Sequence, residues 1–502
     1  MRNPTTITRP LASLFTLCQN TQSLLFPSSP LLFFSIPPVP SLPPAFLFRM
    51  KTLLGEEYDA FLASYDAPPE VGLRVNTLKL SPAEFQTVSP FLLEPLLWTD
   101  AGFRVLETED RPGLHPYHAA GLYYLQEPSA QAVAEILDPQ PGERILDLAA
   151  APGGKTTHIA AKMENQGVLV ANEIHPKRVW DLTKNLERWG ARNTLITNET
   201  PERLADALPE YFDRVLVDAP CSGEGMFRKT PEATRDWSPE FVAGCALRQT
   251  AILDTAAQLV RPGGWLCYAT CTFAPEENEH VIARFLETYP EFSLITPSRR
   301  PGFSSSPFPL FPSSPPLTNP TPVRLYPHRA PGEGHFITLM QRTSPPLPQR
   351  SSSPLPLFSP SRSLRRLLPF WDTFTNETLI LRLNPHQLRL VKSYLYYMPL
   401  EAPDLTRLRL IRPGWWLGSF KKDRFEPSHA LAMALTPEEA QRVLPLNGPD
   451  ALAYLRRETL RLSPSGHPDG WTLVTLDHFP LGWGKMVKGI LKNHLPAGLR
   501  MV

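Results

Sequence analysis

The chain has 502 residues, with 50 Lys and Arg against 49 Asp and Glu. This length implies several domains at roughly 150 residues each, and the formal charge of +1 excludes a polycation, so nucleic-acid binding must come from local patches. Five cysteines with no repeated ligand spacing exclude a disulfide scaffold, lead us to expect no metal site, and fit a reducing cytoplasm.

The 59 prolines are concentrated in three Pro/Ser-rich stretches. These are expected to be a low-complexity tail (1–42), an insert (297–323) and a linker (343–364). The hexapeptide Leu25-Phe-Pro-Ser-Ser-Pro30 recurs as Leu310-Phe-Pro-Ser-Ser-Pro315, as in related inserts and unlike a folded repeat. Near the amino end Pro27, Pro30, Pro37 and Pro38 interrupt every apolar run well short of the ~20 residues a spanning helix needs. A tail is therefore expected there, not an export signal, and no membrane span is expected anywhere.

In chain order, apolar residues from Ala45 to Leu62 recur at spacings of three and four and predict a helix. Residues 72–79 read as a short strand, and Pro128 and Ser129 open a helix over 130–137. A turn over 138–143 leads to a strand at 144–148. Then follow a helix at 155–163, strand 167–171, helix 176–189, strands 194–197 and 214–217, helix 239–260 and strand 265–269. Residues 336–340 supply a final strand. This alternation predicts an α/β fold built on a parallel, doubly wound, Rossmann-like sheet. Beyond 365 the composition is globular again. The stretch 451–502 combines seven Lys and Arg with Trp471, Phe479 and Trp483, as single-strand binding surfaces do; a small β-rich domain with a solvated face fits the same composition.

Ala149, Ala150, Ala151, Pro152, Gly153, Gly154 and Lys155 join the first core strand to the next helix. Small residues admit close backbone approach, and a helix amino end offers N–H groups to an anion such as a carboxylate. The ending Gly153-Gly-Lys-Thr156 imitates a phosphate-binding P-loop, but that motif needs glycine where Ala149 stands, and Pro152 removes a donor. Glu173 closes the second core strand, where an acid grips ribose hydroxyls in nucleoside-binding α/β folds. The dinucleotide glycine pattern is missing, so S-adenosylmethionine is the better ligand.

Cys221, in Asp218-Ala-Pro-Cys-Ser-Gly223, and Cys271, in Tyr268-Ala-Thr-Cys-Thr-Phe273, both follow apolar strands. If those strands are parallel neighbours, their carboxyl ends bring two thiols and the Asp218 carboxylate into one crevice. Methylating carbon 5 of a pyrimidine requires such a set. A thiolate adds to carbon 6, an acid assists at the ring nitrogen and amino group, and a base removes the carbon-5 hydrogen. Cys245 and Cys267, inside a helix and a strand, read as inert.

With Arg74-Val-Asn-Thr-Leu-Lys79, Gln126-Glu-Pro-Ser129 and Arg324-Leu-Tyr-Pro-His-Arg-Ala-Pro-Gly-Glu-Gly-His-Phe336, these motifs resemble the Sun/nucleolar-protein family of RNA cytosine-C5 methyltransferases. The ending Phe479-Pro-Leu-Gly-Trp-Gly-Lys-Met-Val-Lys-Gly-Ile-Leu-Lys-Asn493 resembles its RsmF-like branch, which acts on small-subunit ribosomal RNA. The resemblance spans about 45–342 and 365–502. It implies an amino-terminal RNA-binding domain (43–130), a catalytic domain (131–342), a first carboxyl-terminal domain (365–430) and a PUA-like RNA-binding domain (431–502). It also implies that 149–155 hold the methionine end of S-adenosyl-L-methionine, Glu173 its ribose, Arg178 the neighbourhood of that ribose, and Asp218 both cofactor and base. Cys271 would be the nucleophile and Cys221 would assist product release. The family's adenine-site aspartate corresponds here to Thr200, beside Glu199. Ribosomal RNA or the small subunit is the implied partner. A DNA cytosine methyltransferase with Cys221 of the Pro-Cys dipeptide as attacker, methylation of tRNA or another RNA, an NTPase and a non-catalytic RNA-binding protein are the alternatives.

Overall fold

Five parallel strands carry the architecture: β1 (Arg144–Asp147), β2 (Val168–Asn172), β3 (Thr194–Thr197), β4 (Phe212–Asp218) and β5 (Val260–Thr270), in the spatial order β5-β4-β1-β2-β3. Chain direction along the sheet therefore reverses beside β1, and the crevice above that switch point is where such sheets bind ligands. The strand β6 (His335–Arg342) adds antiparallel to β5, with Phe336 opposite Thr270. The computed structural model describes residues 42–106, 111–297, 303–305, 322–343, 361–461 and 468–501. Nearly all of the expected tail, most of the 297–323 insert and most of the 343–364 linker lie outside the described residues. Among the described residues no helix is long and apolar enough to cross a membrane.

The strand residues alternate between two cores, as the period of two requires. Leu146, Val170, Val215 and Val217 pack with Leu253 and Ala256 of α3 (Pro239–Leu259). Ile145, Leu169 and Leu216 face the other way, toward Ile159 and Ala160 of α1 (Gly154–Lys162). Burial of each of these aliphatic side chains contributes about 1.5–3 kcal/mol. The helix α2 (Arg178–Trp189) seals the β2–β3 end with Val179, Leu182 and Leu186.

An antiparallel four-stranded sheet precedes this unit, in the order Leu93–Pro95, Gly102–Val105, Gly72–Val75, Tyr123–Leu125. Two further sheets follow it, one of four strands between Leu388 and Pro427 and one of five between Val443 and Asn493. The first and last of these three sheets share a core, in which Leu73 and Phe103 join Leu444, Leu455 and Met486.

Several boundaries differ from the sequence expectation. The helix expected through 45–62 is two, Pro44–Leu54 and Tyr58–Ala63, interrupted where Gly55 takes φ +54°. The strand expected over 72–79 stops at Val75, because the Asn76 side chain accepts from Leu78 N at 3.1 Å and turns the chain. The helix expected over 239–260 ends at Leu259. Val260 opens β5, five residues earlier than expected, and a register shift against β4 accommodates Pro262 and Gly263. Among the strands not anticipated, Leu410–Arg412 pairs antiparallel with β3 and closes that edge of the sheet.

Candidate active site

The loop after β1 is held from outside by side chains that bind its carbonyls. Arg178 Nη2 donates to Ala151 O at 2.6 Å, Asn185 Nδ2 to Pro152 O at 2.7 Å and Arg74 Nη2 to Gly154 O at 2.9 Å. Gly153 turns at φ +111°, a conformation side-chain-bearing residues rarely adopt, and a Cβ there would lie 3.3 Å from Leu182. Thr156 Oγ1 donates to Asp147 Oδ2 at 2.7 Å, while Asp147 Oδ1 is buried without a partner. Burial pushes the Asp147 carboxyl up to about 7; Thr156 opposes the shift and the Asp218 charge adds to it.

Glu173, 3% exposed, sits at the end of β2 and accepts from His175 N at 2.8 Å. Its Oε2 lies 3.8 Å from Arg178 Nη1, so loop, acid and arginine form one cluster. Thr200 stands apart in role. Its hydroxyl accepts from Arg203 N and caps the helix Pro201–Ala207, and Glu199 beside it is held by Arg203 Nε at 2.6 Å and Arg409 N at 2.6 Å.

The other half of the crevice lies over β4 and β5. Asp218 pairs with Ala269 in the parallel ladder, so the chains leaving both strands run side by side. Cys221 Sγ and Cys271 Sγ end 3.4 Å apart. Lys155 Nζ donates to Asp218 Oδ2 at 2.7 Å, tying the cofactor-side loop to the thiol side. Burial lowers the Lys155 pKa, but the Asp218 charge and hydrogen bond, with Cys271 next, raise it overall, so this lysine stays cationic. The Cys221 thiol is raised well above its ordinary range, first by its contact with Cys271 and then by burial. Burial likewise pushes Cys245 up to about 11 and raises Cys267, leaving both as thiols.

Beneath the thiols is a buried framework that sequence reasoning missed. Glu277 accepts from Ser222 N at 2.9 Å, from Ser222 Oγ and from Gln249 Nε2 at 2.8 Å, and Gln249 Nε2 also reaches Pro220 O at 3.1 Å. Glu224 accepts from Phe273 N at 3.1 Å and Trp237 Nε1 at 3.1 Å and pairs with Arg49. Gly225 N donates to Cys271 O at 2.8 Å. Each thiol-bearing loop is thus pinned through a carboxylate of a different segment. No spacing rule in the sequence joins residues 222, 249 and 277. Arg74 lies within a noted motif, but its reach to the loop after β1 is visible only in three dimensions.

A switch-point crevice with a small-residue loop on one side, a ribose-level acid at the next strand and no dinucleotide pattern defines an S-adenosylmethionine-dependent methyltransferase. Family comparison agrees. Residues 134–341 match the model for 16S rRNA methyltransferase RsmB/F, and 42–128 the N-terminal domain of 16S rRNA methyltransferase RsmF. Residues 373–435 match the RsmF first C-terminal domain and 441–501 the RsmF PUA domain. The ribosomal RNA small subunit methyltransferase F of Escherichia coli (strain SE11) is 33% identical over 478 residues, covering 91% of this chain and 96% of its own. A methyltransferase homolog from Pyrococcus horikoshii is 30% identical with a TM-score of 0.52, over 59% of this chain and 94% of that one. NSun6 from Pyrococcus horikoshii, solved with SFG, shares the fold at 22% identity and a TM-score of 0.52, over 61% of this chain and all of that one. The chain belongs to the RsmB/F family of 16S rRNA methyltransferases.

Proposed function

We propose that this enzyme forms 5-methylcytosine in small-subunit ribosomal RNA through a covalent bond between Cys271 and carbon 6 of the target base. The observation that carries this reading is the pair of strand-end thiols 3.4 Å apart, next to a carboxylate held by a half-buried lysine. The residues fit the cofactor: a small-residue cradle at 149–154, a buried carboxylate oxygen of Asp147 without a partner, and the inward Glu173. Ala149 through Lys155 would hold its methionine end, Glu173 and Arg178 its ribose region, and Asp218 would face both it and the base. When bound, S-adenosyl-L-methionine supplies an electrophilic methyl group on sulfur.

The Cys271 thiolate adds to carbon 6, and the electron pair of the carbon 5–carbon 6 double bond shifts so that carbon 5 becomes nucleophilic. Asp218 accepts from the exocyclic amino group and, when it carries a proton, donates to the ring nitrogen, stabilising the electron density that collects there. Lys155 keeps Asp218 oriented and places a positive charge near the attacking sulfur. Once carbon 5 carries the methyl group, a base removes its hydrogen, the double bond re-forms and the bond from Cys271 breaks. Cys221, in contact with that sulfur, assists this release. The target cytosine must be unstacked to reach such a crevice. The amino-terminal domain (43–130) and the PUA-like domain (431–502) would hold its flanks, and the site of ribosome assembly makes the cytoplasm the proposed compartment.

Incubation of the full chain with methyl-labelled cofactor and small-subunit ribosomal RNA, followed by nucleoside analysis, tests this. Label in 5-methylcytidine is expected; label only in another nucleoside, or only with tRNA, overturns the proposal.

A further inference from the structure

A second polar site lies away from the crevice, where all four matched segments meet. A cavity of about 370 Å³ is walled by His118 of the amino-terminal domain, Arg188 at the end of α2, His429 of the first carboxyl-terminal domain and Arg500 of the last. Its opposite wall is apolar and includes Leu455 and Leu481. Among the described residues no carboxylate lines it.

The half-buried cations Arg188 and Lys79 have no carboxylate partner among the described residues. Arg188 donates to Asn185 Oδ1 at 2.9 Å and, among the described residues, to no carboxylate. Among the described residues Lys79, next to it, donates only to backbone carbonyls, those of Ala120 at 2.5 Å and Arg188 at 3.4 Å. The carboxyl end of α2 compensates both in part through the helix dipole, since Arg188 sits in its last turn and Lys79 donates to that turn's carbonyl. Burial lowers the pKa of Arg188, and burial together with the Arg188 charge brings Lys79 down to about 7. Burial first, then the adjacent cation, holds His118 and His429 down to about 3, so both are neutral imidazoles, His118 with a hydrogen bond to the Gly113 backbone. His429 Nδ1 is buried with no partner among the described residues. Concentrating these donors around a guanidinium that has no carboxylate partner among the described residues costs stability unless an anion completes the cavity.

We propose that this cavity takes one unpaired nucleotide of the RNA substrate, its phosphodiester on Arg188 and Arg500 and its base against the leucine wall. A polar, cationic side facing an apolar one matches a nucleotide better than a free inorganic anion. The position suits a substrate strand, since Arg188 lies on the same helix as Arg178 of the cofactor cluster, roughly 15 Å away along the axis at 1.5 Å per residue. Because four domains contribute, the cavity exists only in the assembled chain, and a nucleotide bound there would set how the RNA enters the crevice. The identity of the polymer rests on the methyltransferase reading above; the anion site itself does not.

The test uses full-length Arg188→Gln and Arg500→Gln proteins and a single-stranded small-subunit ribosomal RNA fragment, with affinity measured from about 50 to 200 mM KCl. Each variant should bind about tenfold more weakly, raise KM for RNA more than it lowers kcat, leave cofactor affinity unchanged, and reduce the slope of log K against log salt by about 0.7, one single-strand phosphate contact. Wild-type affinity and slope in both variants, with methyl transfer intact, overturn the cavity proposal and leave the enzyme's function standing. If Arg188→Gln loses cofactor binding through misfolding, Arg500→Gln, at an exposed position, decides the matter. If inorganic phosphate raises the Tm of the wild type but not of Arg188→Gln while RNA binding is unchanged, a free-anion site replaces the RNA assignment. A wild-type enzyme that transfers no methyl to ribosomal RNA refutes the functional reading instead.

Discussion

Replacing Arg74 by methionine removes the clamp that ties the amino-terminal sheet to the cofactor loop. The fully buried guanidinium donates to Gln126 Oε1 at 2.9 Å, Gly154 O at 2.9 Å and Thr157 Oγ1 at 2.7 Å, and lies 4.7 Å over the Trp189 ring. Hydrogen bonds from a charged donor contribute about 1.5–3 kcal/mol each, and the ring contact about 0.5–2 kcal/mol. Against this stands the cost of holding a cation in the core, which burial registers by pulling the Arg74 pKa down to about 9 and which methionine, of similar length, removes. The Thr157 hydroxyl keeps a partner in Gly153 O at 2.8 Å, so of the two side-chain acceptors it is Gln126 Oε1 that loses its bond. The net expectation is a loss of about 2–4 kcal/mol in stability, with cofactor affinity falling about tenfold, or about 1.4 kcal/mol, as Gly154 loses its tether. Arg74→Lys keeps the charge but cannot reach three acceptors, and should fall between the two. Thermal unfolding and calorimetric titration with S-adenosylmethionine read both effects. An Arg74→Met protein that unfolds at the wild-type temperature and binds cofactor at wild-type affinity would refute the reasoning.

Three other outcomes follow from the same geometry. Cys221→Ser should accumulate a protein–RNA adduct visible as a retarded band on a denaturing gel, because the sulfur proposed to assist release is gone; fast turnover with no retarded band contradicts that role. Lys155→Met should lower the methyl-transfer rate about 100-fold or more by freeing Asp218, with RNA affinity retained, and a near-normal rate would show that the pair is not used. Glu224 ties stability to pH. Burial raises its carboxyl from 4.5 to about 7, with Arg49 opposing and Glu277 adding. Between those values the folded state holds a proton that the unfolded chain has released, so this group's contribution declines as pH rises from about 4.5 through about 7. Glu224→Gln should flatten the fall in Tm across that range, and an unchanged slope would show that another group causes it.

The sheet was legible because its strands are short apolar runs separated by helices, a pattern with few topological solutions. The crevice was legible for a related reason: Asp218, Cys221 and Cys271 follow such strands directly, and the ends of neighbouring parallel strands converge. What escaped depends on contacts between segments remote in sequence. Leu410–Arg412 is three half-buried residues whose partner strand lies more than 200 residues earlier, so no local period marks it. Glu277, Gln249 and Ser222 come from a turn, a helix and a loop, each with an ordinary sequence neighbourhood. The Pro-Gly pair at 262–263 reads as a turn, yet β5 runs through it because the β4 partner shifts register to match. Thr200, the position the resemblance sets against an adenine-site aspartate, caps a helix, a role that only the structure shows.

The sulfur at 271 carries the whole chemical account, and trapping tests it most directly. A 5-fluorocytosine-containing RNA cannot lose its carbon-5 substituent, so the enzyme should remain bonded to it, and digestion with mass spectrometry should locate the nucleotide on the peptide that contains Cys271. A nucleotide found on Cys221 instead, or an adduct that still forms in Cys271→Ser, would contradict the account.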